Sequence, residues 1–110
     1  MSRIDHFRDL HAEGTFVMPN PYDLGSARLL AALGFPALAS TSSGFAATLG
    51  RLDMSTTLDE LLAHIEPLAA ATDLPLNVDS ERCFADDLAG VTETVAMLAA
   101  TGAAGCSIED

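Results

Sequence analysis

Two short apolar runs in this chain end abruptly in carboxylates. Residues 74–78 lead into Asp79 and Glu81, and residues 103–108 lead into Glu109. Parallel strands deliver such acids to one edge of a sheet, which is where (β/α) barrels keep their chemistry. Carboxylate oxygens suit a hard cation, so we expect Mg²⁺ at this edge, with Mn²⁺ as the alternative.

Short apolar runs alternate with amphipathic helical patterns along all 110 residues. This alternation predicts an α/β fold of parallel βα units joined by right-handed crossovers. We expect a single domain with a leading helix, four strands and three further helices. The predicted helices are about 2–12, 22–33, 57–69 and 86–101, and the predicted strands are 15–18, 35–39, 76–78 and 105–108.

Local signals mark the starts of two of these helices. Thr57 followed by Glu60 indicates a capping box. Asp23 and Ser26 are expected to cap or anchor the predicted helix at residues 22–33. Pro67 lies inside a helical pattern, and an interior proline costs roughly 3 kcal/mol. We therefore expect a kink before it, or a helix that ends early and restarts.

The charge balance excludes several classes of partner. Five basic residues face sixteen acidic ones, a net charge of −11. Nucleic acids and anionic membranes both require clustered Lys and Arg, so we expect neither as a partner. No apolar stretch is long enough to span a bilayer, and the first residues lack the apolar core of a signal peptide. Two cysteines without a CxxC pattern favour a reducing cytoplasm.

A hydroxyl-rich segment follows the second predicted strand. Residues 40–44 carry four hydroxyl side chains and a glycine, and a predicted loop continues to Asp53. Backbone N–H groups and hydroxyls at such a place can hold a carboxylate or a phosphate. On these residues alone, a serine-rich turn without a ligand is the other interpretation, and the more frequent one.

Six segments follow one another in an order typical of a known family. They are 20–27 (NPYDLGSA), 34–38 (GFPAL), 41–44 (TSSG), 49–53 (LGRLD), 74–81 (LPLNVDSE) and 102–110 (GAAGCSIED). Each segment alone is weakly specific, whereas their order and spacing together are specific. The chain thus resembles the isocitrate lyase/phosphoenolpyruvate mutase family, 2-methylisocitrate lyases included. The resemblance extends over nearly the whole chain and implies the N-terminal half of a TIM (β/α)₈ barrel.

What the resemblance implies is a Mg²⁺-dependent lyase or mutase that acts on small α-keto or α-hydroxy carboxylic acids. Such enzymes make or break a C–C or P–C bond next to a carbonyl, through an enolate. Asp79 would be the direct or nearly direct metal ligand, and Asp53, Glu81 and Glu109 would anchor the ion through water. The residues implied for the substrate carboxylate are Thr41, Ser43, Gly44 and Phe45.

The chain departs from the family pattern in three places. Glu81 stands where the family usually has an aspartate, and it is one methylene longer. Residues 82–85 (RCFA) replace a turn with two glycines, so the backbone there can differ. Arg82 could pair with Glu81 or with an anionic substrate. The loop that carries a catalytic cysteine in isocitrate-cleaving members has no counterpart in residues 1–110, so no catalytic residue is assigned.

Length sets a further expectation. A closed barrel of this kind needs about 250 residues, whereas four predicted strands make half of one. Strands one and four would present open edges, so we expect either a longer protein or association of halves into a homo-oligomer. The alternative function is accordingly a truncated, non-catalytic half barrel that self-associates and keeps vestigial acids.

Several candidates also have purely structural interpretations. Asp79 and Glu109 could cap helices or form turns, and Asp53 could be a solvated loop acid. The three histidines are expected on exposed helical surfaces without a role, namely His6, His11 and His64.

Overall fold

The computed structural model describes every residue from Met1 to Asp110. It contains five α-helices and three short β-strands. The helices are α1 (Arg3–Leu10), α2 (Leu24–Ala32), α3 (Ser42–Thr48), α4 (Leu58–Ala70) and α5 (Leu88–Ala100). The strands are β1 (Leu38–Ala39), β2 (Leu76–Asp79) and β3 (Gly105–Ser107).

The three strands form one parallel sheet in the order β1-β2-β3. Val78 of β2 lies opposite Cys106 of β3, and Asp79 lies opposite Ser107. Because the strands all run the same way, their carboxyl ends meet at one edge of the sheet. The predicted α/β class with parallel βα units is therefore confirmed.

The core lies between the sheet and the helices that connect its strands. In α4, Leu61, Ile65 and Leu68 follow one another at helical spacing and are at most 2% exposed. They pack with Leu76 and Val78 of β2 in one apolar cluster. Burying a side chain of this size stabilises the fold by roughly 1.5–3 kcal/mol, so α4 is held to the sheet mainly by this stripe.

The capping signals operate as predicted. Thr57 accepts the Glu60 N–H at 3.2 Å, and the Glu60 carboxylate accepts the Thr57 N–H at 3.0 Å. Asp23 and Ser26 form the same reciprocal arrangement at the start of α2. At α5, Asp87 accepts the Gly90 N–H at 2.8 Å.

The predicted early end and restart of the helix at Pro67 is wrong, whereas the alternative of a kink near His64 stays a prediction. Helix α4 continues through Pro67 to Ala70. An interior proline leaves the carbonyl of the residue four positions earlier without its N–H partner. That residue is Ala63, and both Ala63 and Pro67 are exposed, so water can satisfy the carbonyl.

The first predicted strand is also wrong, since residues 15–18 form no strand. One backbone hydrogen bond connects β1 to the residue that follows this segment. In it the Ala39 N–H donates to the Pro19 carbonyl at 3.0 Å. A ladder requires reciprocal bonds, and Pro19 and Pro21 have no N–H to donate. The sheet consequently has three strands where the sequence predicts four.

The predicted loop over residues 40–53 contains a helix. Thr41 is its N-cap, and Thr41 Oγ1 accepts the Gly44 N–H at 3.1 Å. The two alanines and the phenylalanine that follow the serines complete α3 up to Thr48. Serines favour helix starts as well as turns, and the turn interpretation overlooked the cap.

None of the helices has the length and apolar content needed to cross a bilayer.

Candidate functional site

Asp79 joins the end of β2 to the start of α3. Its Oδ2 accepts the backbone N–H of Ser42 at 2.9 Å, and its own N–H donates to Ser40 Oγ at 2.9 Å. Its Oδ1 accepts the Glu81 N–H at 3.3 Å. The carboxylate is therefore oriented by two backbone amides that belong to different elements.

Glu81 lies directly beyond this strand end and is 3% exposed. Its carbonyl accepts the Glu109 N–H at 2.7 Å, which fixes the segment after β3 beside it. Burial raises the pKa of the Glu81 carboxyl, and the charges of Asp53, Asp79 and Glu109 raise it further. The structure thus brings the four predicted metal-site acids to one edge of the sheet, which we call the acidic edge.

Asp53 reaches the acidic edge through a serine that sequence reasoning missed. Its Oδ1 accepts the Met54 N–H at 2.9 Å and the Ser42 hydroxyl at 3.3 Å. Ser42 is 8% exposed and contacts Asp53 through its hydroxyl and Asp79 through its amide. Its place after Thr41, at the first position of a capped helix, is the signal that could have identified it.

The acidic edge suits a hard cation in its chemistry, because its side-chain donors are carboxylate and hydroxyl oxygens. Grouped by position, however, no three acidic, histidine or cysteine side chains form a set that could hold an ion directly. Mg²⁺ usually keeps several waters and takes one or two carboxylates. The residues present therefore fit a hydrated ion on one carboxylate with water-mediated partners, and Mg²⁺ stays a prediction.

The hydroxyl-rich segment is the first turn of α3. The amides of Gly44 and Phe45 are already bonded, to the side chain and to the carbonyl of Thr41. Ser43 is exposed, and its Oγ lies 3.4 Å from Thr41 Oγ1. Its hydroxyl is therefore the one in this turn that is accessible to a ligand. A side chain at Gly44 would meet the Thr41 methyl group at 2.6 Å, so the turn requires glycine there.

His64 is not the exposed histidine that the sequence predicts. Its ring stacks on Phe45 with centroids 4.0 Å apart, and its buried Nε2 has no hydrogen-bond partner. Burial lowers the pKa of His64, and Asp23 opposes this to a lesser degree. His64 follows Leu61 by three residues, and this spacing on the buried stripe was the available signal. His6 and His11 are exposed, as predicted.

The turn after β2, where the sequence lacks the family's two glycines, has a left-handed backbone at several residues. Glu81, Cys83 and Phe84 have φ values of 53°, 63° and 53°. Such conformations cost roughly 1–2 kcal/mol for residues other than glycine. The turn is held by the Thr94 hydroxyl, which donates to the Cys83 carbonyl at 2.7 Å.

Arg82 is the exposed side chain of this turn. It pairs with Asp86 at 3.1 Å, rather than with Glu81. Beside Glu81 there is a cavity of about 180 Å³, lined by Met54, Thr56, Glu81, Arg82 and Phe84. A second cavity, of about 190 Å³ and almost entirely apolar, lies along α5 and β3 and includes Ile4, Val95 and Ala99.

The chain is similar to several known proteins. The family model for phosphoenolpyruvate phosphomutase matches residues 7–110. An oxaloacetate decarboxylase of Rhodopseudomonas palustris is 40% identical over 91 residues, covering 81% of this chain and 31% of that protein. A solved structure from Burkholderia cenocepacia, provisionally assigned as a lyase/mutase, has a TM-score of 0.96 at 47% identity, covering 98% of this chain and 39% of the other.

A further similar structure belongs to a named superfamily. It is a 2,3-dimethylmalate lyase of the PEP mutase/isocitrate lyase superfamily, with a TM-score of 0.89 at 27% identity, covering 100% of this chain and 40% of the other. The predicted resemblance and the predicted part of a TIM barrel are thereby confirmed. The chain spans 30 to 40% of the length of the curated relatives that it matches.

Proposed function

The chain belongs to the phosphoenolpyruvate phosphomutase family, and on that premise we propose that it carries the metal and carboxylate sites of a lyase or mutase. The substrate class is a small α-keto or α-hydroxy carboxylic acid, and the reaction makes or breaks a C–C or P–C bond. The observation that carries the proposal is the gathering of three carboxylates, those of Asp53, Asp79 and Glu109, around a buried Glu81, next to the first turn of α3.

In this proposal Asp79 holds the ion, and Asp53, Glu81 and Glu109 hold its waters. An ion held there would supply the positive charge that favours the enolate form of the substrate. It also offsets the mutual repulsion that raises the pKa of Glu81. Without a cation, the negative charge of these four carboxylates would repel an anionic substrate.

The first turn of α3 supplies the other half of the proposed site. The Ser43 hydroxyl donates to the substrate carboxylate, and Thr41 keeps the turn in shape by capping it. Gly44 allows Thr41 to approach the helix closely, and Phe45 anchors the turn through its stacking on His64. Ser42 connects the two halves, because it contacts Asp79 and Asp53 together.

The relatives support a small carboxylic acid as substrate. One acts on oxaloacetate by its name, and another is a 2,3-dimethylmalate lyase. A cytoplasmic location belongs to the same proposal, since two free cysteines without a CxxC pattern favour a reducing compartment.

Self-association without catalysis is the second candidate function. The strand β3 pairs with β2 alone, so its other edge is unpaired. The apolar cavity along α5 and β3 lies near this edge, and Leu88 and Ile108 are exposed. A homo-oligomer would cover these groups, and sedimentation in the absence of metal measures it.

Metal-dependent stability tests the first proposal. At a free Mg²⁺ concentration of 100 Kd, binding to the folded state alone stabilises it by about 2.7 kcal/mol. For a chain of this size, that corresponds to roughly 10 °C in Tm. Asp79→Asn should abolish the shift, whereas Asp9→Asn, an exposed acid on α1, should keep it. A melting curve that millimolar Mg²⁺ leaves unchanged would count against the proposal.

A further inference from the structure

The five basic residues of this chain are all arginines, and they are few for a protein that would bind an anion. Arg51 is held by both carboxylate oxygens of Glu60, each at 2.7 Å. Arg3 donates to the Ala69 carbonyl at the other end of the core. Arg82 is the one basic residue that lines the cavity beside Glu81.

The present partner of Arg82 holds it weakly. The guanidinium meets Asp86 through one hydrogen bond of 3.1 Å, and the two side chains are 59% and 92% exposed. A solvated pair of this kind contributes little to stability, because water screens it and two long side chains must be ordered. Arg82 can therefore exchange Asp86 for another carboxylate at small cost.

Arg82 lines two cavities, a larger one that it shares with Asp86 and a smaller one that adjoins the acidic edge through Glu81. The smaller one is the cavity considered for a ligand. Its volume of about 180 Å³ has room for several non-hydrogen atoms. Met54 and Phe84 supply apolar walls, and Thr56 supplies a hydroxyl. Glu81 donates its N–H to Asp79 Oδ1 at 3.3 Å, so this cavity is next to the position proposed for the keto-acid end of a substrate.

We propose that Arg82 binds the distal carboxylate of a dicarboxylic acid in this cavity and thereby sets specificity for dicarboxylic over monocarboxylic substrates. This inference rests on the proposed function. Arginine suits the role, since its planar guanidinium can donate two parallel N–H bonds to one carboxylate. Thr56 supplies the one hydroxyl side chain of the cavity lining. Because four acidic side chains lie nearby, the distal carboxylate of a substrate needs a basic side chain here to offset their repulsion.

The test compares two ligands that differ in the distal carboxylate. Pyruvate and freshly dissolved oxaloacetate share the keto-acid end, and their binding to the full chain with Mg²⁺ is measured by calorimetry in the cold. We expect Arg82→Gln to weaken oxaloacetate binding tenfold or more and to leave pyruvate binding unchanged. Arg82→Lys should recover part of the loss, because it keeps the charge without the planar fork.

Two further variants serve as controls. Arg51→Gln removes an arginine that Glu60 holds, and it should change neither affinity. Asp86→Asn releases Arg82 and should strengthen oxaloacetate binding several-fold. Equal losses for both ligands in Arg82→Gln, or no loss for either, would overturn the assignment of Arg82 alone. Failure of wild-type protein to bind either ligand would overturn the proposed function, and this inference with it.

Discussion

Replacing Gly44 with alanine should reverse the usual effect of that substitution in a helix. Alanine is favoured over glycine inside a helix by up to about 1 kcal/mol. At Gly44, however, the new methyl group would lie 2.6 Å from Cγ2 and 3.2 Å from Oγ1 of Thr41. Overpacking of this kind costs about 1–3 kcal/mol. If Thr41 rotates away instead, the loss of its cap costs about 0.5–2 kcal/mol.

Both routes predict net destabilisation by about 1 kcal/mol in Gly44→Ala. Urea denaturation measures it, since an m-value of about 1–3 kcal/mol/M converts this loss into a midpoint shift of roughly 0.5 M. Gly25→Ala is the matched control, because it lies in the first turn of α2 and its new methyl group meets nothing closer than 3.7 Å. Gly25→Ala should be neutral or stabilising.

A double mutant identifies the cause. Thr41→Ser removes the methyl group that lies at 2.6 Å and keeps the hydroxyl that caps α3. In that background Gly44→Ala should regain most of the lost stability, which a double-mutant cycle measures as a coupling energy. Stabilisation by Gly44→Ala alone, or an absence of coupling to Thr41, would refute the reasoning.

Two other predictions concern single side chains. The pKa of His64 is lowered in the folded state, so the unfolded chain binds more protons and stability should fall as pH drops below about 6.5. His64→Phe should flatten this slope in melting curves, and an unchanged slope would contradict the role of burial. Met54 has a φ of 65° and is 57% exposed, so Met54→Gly should relieve strain and stabilise by about 0.5 kcal/mol in urea denaturation. Met97→Gly, inside α5, should instead destabilise by about 1 kcal/mol, and equal signs would refute the strain argument.

Features that depend on nearby residues could be predicted from the sequence. The Thr57–Glu60 box involves four consecutive residues, and its chemistry is the same in any helix. The parallel arrangement of β2 and β3 followed from the alternation of strands and helices. The convergence of Asp79 and Glu109 followed in turn, since parallel strands end at one edge.

Features that depend on distant partners could not be predicted. Residues 15–18 have the apolar composition of a strand, but a strand also needs a reciprocal neighbour. The part of Ser42 in the site rests on contacts with residues 11 and 37 positions away. The burial of His64 depends on Phe45, whose helix was itself predicted as a loop.

The hydrogen bond from the Ser42 amide to Asp79 makes a backbone proton report on a carboxylate that is distant in sequence. An amide N–H that donates to a carboxylate oxygen changes its chemical shift when the charge on that oxygen changes. The ¹⁵N–¹H signal of Ser42 should therefore respond to an ion that draws on the charge of Asp79, across 37 positions of sequence. One resonance can thus follow the acidic edge in solution without any label on the acids themselves.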